Sequence, residues 1–259
     1  MPQNTFRLQN EWMTISLGKA EYVFRHRNDP SIQLDTWLVQ QIAISGTVIM
    51  SGTDVEGPIR QVGAADFIGG IHGDEQFGSV TLLVDGKPVD PLSVIPETPF
   101  DRIDAFVTST LFFCDSRIPA FERHKHLLFA GEKVVISNAM TYIGQEDFFV
   151  HRWPANGIFS FYKDTINGYT TNRSCILIND RAAPPDPSID VVSFYGNGFS
   201  ATIRSLSEKY DSYLGWVTDF AKEARPRFKA YFDTLDNARG DVVLHPSDEI
   251  QASYEIWIV

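Results

Sequence analysis

The sequence predicts an all-β protein: one large antiparallel sandwich of two sheets with few short helices. Three observations carry that expectation. Apolar and polar residues alternate with a period of two along most of the chain, as they do in strands with one buried face. Turn residues recur between the alternating runs. No stretch holds a capped 3.6-residue apolar period. Hydrophobic residues make up 43% of the 259 positions and aromatics 13%, enough to fill a substantial core.

The strands are predicted in order as follows. Glu21 to Asn28 and Gln33 to Ile44 alternate cleanly. Ser79 to Asp90 reads as a hairpin whose Asp85-Gly86 turn suits the positive φ angles of a tight β-turn. Ile103 to Cys114 is a long strand. Arg117 to Phe129, Lys133 to Tyr142 and Asp147 to Trp153 follow, broken at Ala130-Gly-Glu132 and Gly144-Gln-Glu146. Gly157 to Tyr162, Cys175 to Ile178 and Ile189 to Tyr195 continue the pattern. Phe199 to Leu206, Arg227 to Phe232 and Gln251 to Val259 close it. Tyr213 to Ala221 is expected to make a turn or two of helix, and the Pro-rich piece Arg181 to Pro187 a loop. No repeat or change of composition divides the chain, so residues 1–259 are expected to form a single β-sandwich domain.

Composition narrows the functional classes. The formal charge of −11 argues against general nucleic-acid binding, because no basic face is available for phosphates. The apolar runs are too short to span a bilayer, and Met1-Pro-Gln-Asn-Thr5 lacks the pattern of a secretory signal. The protein is therefore expected to be made in the cytoplasm and to leave it only by lysis or within a particle. Cys114 and Cys175 lie in apolar segments without metal-ligand spacing and are read as buried thiols.

Three clusters could carry chemistry. Phe67 to Glu75 packs Gly69, Gly70 and Gly73 around His72, with Asp74 and Glu75 following. Dense glycine marks unusual backbone angles or a close backbone approach. His72 could serve there as base or acid, with Asp74 or Glu75 orienting it or acting as one carboxylate of a glycosidase pair. The other reading is a bend whose polar groups satisfy turn backbone. In His151-Arg152-Trp153 the His and Trp share a strand face, so Trp153 could be a sugar platform. Arg152 or Lys163 could neutralise a uronate, and Tyr162 could be the acid of an elimination. The other reading is a core Trp among solvated charges. His124 and His126 point to one side of a strand, as metal-binding pairs do, but Glu132 and His151 do not complete a ligand set, and a polar face is the simpler reading. Nucleophile-elbow, phosphate-loop and dinucleotide motifs are absent, and no metal or cofactor is expected.

The order of long strand pairs, then Asp147 to Pro154, Asn167 to Asn172 and Tyr195 to Ile203, with a close at Arg227 to Phe232 and Pro246 to Ile256, resembles a known group. It is similar to the galactose-mutarotase-like super-sandwich domains of carbohydrate-active proteins and of phage or prophage tail proteins. The resemblance implies a protein that acts on or recognises a surface polysaccharide, as a tail-associated lyase or hydrolase, or else as a non-catalytic glycan-binding or structural virion component. The partners it implies are a polysaccharide or oligosaccharide, with a homo-oligomer or tail proteins as candidates beside it.

Overall fold

A computed structural model describes residues 4–51, 74–113, 117–150, 155–171, 189–206, 213–220, 225–233 and 242–259. Strands dominate. The first eight are β1 Thr5–Gln9, β2 Trp12–Leu17, β3 Ala20–Asp29, β4 Leu34–Ile44, β5 Thr47–Ser51, β6 Asp74–Val84, β7 Lys87–Val89 and β8 Val94–Pro99. The next six are β9 Arg102–Phe112, β10 Pro119–Ala130, β11 Lys133–Tyr142, β12 Phe148–Val150, β13 Ala155–Tyr162 and β14 Ile166–Thr171. The last six are β15 Val191–Gly196, β16 Phe199–Ser205, β17 Tyr213–Phe220, β18 Arg227–Asp233, β19 Val242–Leu244 and β20 Glu249–Ile258.

The pairings trace two layers. One runs β8-β1-β2-β3-β4-β5-β13-β18-β17, and the other β7-β6-β9-β10-β11-β20-β16-β15-β14. A single parallel bridge, Leu34 to Glu75, joins them where β4 meets β6. All other ladders are antiparallel, and β12 and β19 form a small separate pair. Alternation explains why the layers face each other. On β11 every second residue from Val134 to Tyr142 is buried while its neighbours are half-exposed or exposed. Aromatic contacts close the gap between layers: Phe24 on Phe129, Phe159 on Tyr254, Phe161 on Phe194 and Tyr169 on Phe228, with ring centroids 4.4 to 5.9 Å apart. Burying each such ring contributes roughly 1.5–3 kcal/mol.

The predicted all-β sandwich is present. Asp85 and Gly86 both have positive φ, 50° and 74°, as the hairpin reading requires. One expectation fails: Tyr213 to Ala221 does not start a helix, because Tyr213–Phe220 is strand β17, paired antiparallel with β18. A register shift between Leu214 and Trp216, at Gly215, breaks the alternation that would have marked it. The only helical feature among the described residues is one 3-10 turn at Lys163–Thr165. Among them no helix is long and apolar enough to cross a membrane. Edge strand β8 carries Pro96 and Pro99, and among the described residues it pairs only with β1.

Candidate functional site

A polar stratum crosses the sandwich interior. The inward residues of β10 run Phe121, Arg123, Lys125, Leu127 and Phe129, all buried. The charges at 123 and 125 therefore sit inside, between apolar neighbours. The adjacent strands match them: Ser109 of β9 pairs with Arg123, and Asn138 of β11 pairs with Lys125. This stratum divides the core. Leu111, Phe121, Met140 and Tyr142 pack in a small cluster on one side, and the main core lies on the other.

Glu75 enters the stratum from the start of β6. Its side chain is 1% exposed. It accepts Ser109 Oγ–H at 2.7 Å and Arg123 Nη1–H at 3.3 Å, while Arg123 also donates to Asn138 Oδ1 at 2.8 and 3.1 Å. The Lys125 ammonium donates to the Trp37 carbonyl. Burial opposes the charge on Glu75. Arg123 and Lys125 outweigh it, aided by Ser109 and the nearby Thr36 hydroxyl, so its pKa lies below the usual carboxylate range. Glu75 is thus a carboxylate at neutral pH.

A cavity of about 420 Å³ opens against this ion pair, within the size range of small-ligand sites. Its wall includes Asn28, Gln33, Asp35, Glu75, Gln76 and Arg117, with Leu34 and Phe112 as apolar patches. Two of these residues hold left-handed backbone without being glycine, Gln33 at φ 53° and Arg117 at φ 56°. Such conformations cluster at ligand sites. The Gln33 carbonyl accepts the Glu75 N–H at 3.1 Å, which ties the β3–β4 turn to the entry of β6.

The sequence candidates distribute unevenly. Glu75 lines the cavity, and Asp74 precedes it on β6. His72, His151, Arg152 and Trp153 lie outside the described residues, as do Cys114 and Cys175. Tyr162 and Lys163 fall elsewhere. Phe161 pairs with Met50, which pairs with Ile42, whereas Glu75 pairs with Leu34. Eight residues of β4 separate those levels, roughly 26 Å at the usual strand rise. The Tyr162 ring instead lies 3.6 Å from the Arg225 guanidinium carbon, and Lys163 sits over Phe228. His124 and His126 do share a face, the outer one. His126 stacks on Phe106 and its Nε2 lies 2.8 Å from Asp104, while His124 lies 3.2 Å from Glu122. Among the described residues, no group of three or more His, Cys, Asp or Glu side chains is arranged to hold a metal ion. Sequence reasoning missed Arg123 and Lys125, although their parity with Phe121 and Leu127 was a usable signal. It also missed Asp35 and Arg117, which nothing local marks.

No protein-family model matches the chain, and no curated protein does. Solved structures do. Galactose 1-epimerase from Lactobacillus acidophilus NCFM superposes with a TM-score of 0.51 at 10% identity, covering 100% of this chain and 99% of that one. A GH36 alpha-galactosidase from Geobacillus stearothermophilus gives 0.53 at 8% identity, covering 96% of this chain. The chain spans 40% of the galactosidase's length. At these identities the likeness shows a shared fold alone.

Proposed function

We propose that this protein is a carbohydrate-active β-sandwich that takes a saccharide in the cavity beside Glu75. The observation that carries the reading is the meeting of a small-ligand cavity with a buried, fully bonded ion pair, on a fold shared with carbohydrate-active proteins. Asn28, Gln33, Gln76 and Asp35 offer donors and acceptors for hydroxyls, and Arg117 suits an acidic sugar. The ligand class we assign is a bacterial surface polysaccharide, and the sequence resemblance supports a phage or prophage tail as its setting. As an enzyme, the protein would use His72, two positions before Asp74 in the chain, as its acid–base group. Glu75 would act there as a fixed negative charge, since its proton is already lost. Tyr162 and Lys163 would belong to a second contact region along an extended chain.

The full engagement of Glu75 by Ser109 and Arg123 favours a second reading, a non-catalytic glycan binder in which the ion pair is scaffold. A screen of bacterial surface polysaccharides, following binding and product length for wild type, His72→Ala and Arg117→Ala, separates the two. Shortening by wild type alone, with unsaturated ends, makes it a lyase centred on His72. Binding without shortening that Arg117→Ala weakens makes it a binder. Binding indifferent to Arg117, or no binding to any glycan, overturns the assignment of this cavity.

A further inference from the structure

We infer that His26 is a positioning residue of this cavity, holding the Asp35 carboxylate at its wall through a hydrogen-bonded chain that runs from Glu11 through His26 to Asp35. The inference rests on the reading that the cavity takes a saccharide. His26 lies on β3 directly across from Trp37 of β4. Its ring stacks on Trp37 at 12° between planes and meets Phe77 of β6 at 4.9 Å. Two rings therefore fix the plane of the imidazole, and both of its nitrogens face acid oxygens. Nε2 lies 2.7 Å from Asp35 Oδ1, and Nδ1 lies 3.2 Å from Glu11 Oε1.

The far end of the chain is anchored. Glu11 sits in the β1–β2 turn at φ 64°. Its N–H donates to the Pro91 carbonyl at 2.8 Å, and its own carbonyl accepts the His26 N–H at 3.1 Å. The near end is open. Asp35 lines the cavity, its side chain is 32% exposed, and among the described residues its Oδ2 makes no hydrogen bond to protein. One oxygen is thus held by His26 and the other remains an acceptor for a sugar hydroxyl.

An imidazole with a carboxylate on each nitrogen has its bonds complete only when both nitrogens carry hydrogen. The neutral ring sets one lone pair against a carboxylate. Among the described residues, the charged groups that face the ring are Glu11 from the β1–β2 turn and Asp35 from β4, and β6 contributes Phe77. On β3 itself, Arg25 bonds Gln40 and lies over Trp12, while Arg27 bonds Asp29. With hydrogen on Nε2 the ring donates to Asp35 Oδ1 and holds that carboxylate at the cavity wall.

Two measurements on the full chain test this. Proton NMR in mildly acidic buffer is expected to show a downfield Nε2-bound proton that vanishes in His26→Gln and moves upfield in Asp35→Asn. Absence of that resonance overturns the positioning role without reference to any ligand. Titration with D-galactose and D-galacturonate follows. His26→Gln is expected to weaken binding about tenfold, the weight of one charge-assisted hydrogen bond. Adding it to Asp35→Asn should cost nothing more. Binding by wild type that His26→Gln leaves unchanged in strength overturns the positioning role and spares the cavity. Failure of wild type to bind these sugars or any polysaccharide of the screen removes the cavity reading, and the inference with it. Thermal melts confirm that each variant folds, and His26→Asn replaces any Gln variant that does not.

Discussion

Tyr22 carries a hydroxyl that the described residues around it do not use. The side chain is fully buried, its oxygen has no hydrogen-bond partner among the described residues, and burial pushes its pKa up. Tyr22→Phe should therefore leave stability unchanged or raise it by about 1 kcal/mol, read as the midpoint of chemical denaturation. A loss of similar size would mean that the hydroxyl has a partner. Glu75 behaves oppositely. Removing its partner by Arg123→Met leaves a buried charge unpaired and should cost about 3–5 kcal/mol. Because the folded pKa of Glu75 is lowered, its contribution is fully present above the unfolded value of about 4.3 and is lost as pH falls through the folded value. Denaturation of wild type between neutral pH and pH ~2 should show this acid limb, and Glu75→Gln should be less stable at neutral pH with a shallower limb. An equally steep limb in that variant would assign the acid sensitivity to other carboxylates. At this scale the sequence was only partly legible. Glu75 stood out through its glycine-rich neighbours, while Asp35 and Arg117 come together only by tertiary folding.

At the scale of elements, strands with clean alternation were legible and interrupted ones were not. The β1–β2 hairpin turns on Asn10 and Glu11, both at positive φ without any glycine, so Asn10 alone marks the turn between Gln9 and Trp12. Strand β17 hides behind its Gly215 bulge. His124 and His126 were rightly placed on one face, because parity along a regular strand is robust, yet the same parity put Arg123 and Lys125 inside. Gly196, at the end of β15, gives an element-level test. A Cβ there would lie 2.5 Å from the Thr165 carbonyl oxygen and 1.9 Å from the Phe199 ring. Gly196→Ala should cost about 1–3 kcal/mol by forcing the Lys163–Thr165 turn and the β15–β16 turn apart. A neutral result would show that both turns yield freely.

Across the whole molecule, the two layers share one main core that draws side chains from β1 through β20. The polar stratum does not split it into independent halves, because β9, β10 and β11 pass through both clusters. Unfolding should therefore be a single transition in which far-ultraviolet and near-ultraviolet circular dichroism coincide. Two separated transitions would show that the small cluster around Phe121 melts by itself. The layered architecture was legible from the sequence because a period of two, held over most of the chain, demands sheets with a buried face. The route by which the layers join was not, since it depends on one bridge between Leu34 and Glu75. The prolines of β8 act at this largest scale as well. An outermost strand with a full row of amide hydrogens is a template for further chains, and Pro96 and Pro99 each remove one donor from that row. Among the described residues the sheet ends there in a blunted rim, a shape that disfavours crowded copies zipping into fibrils during assembly or storage.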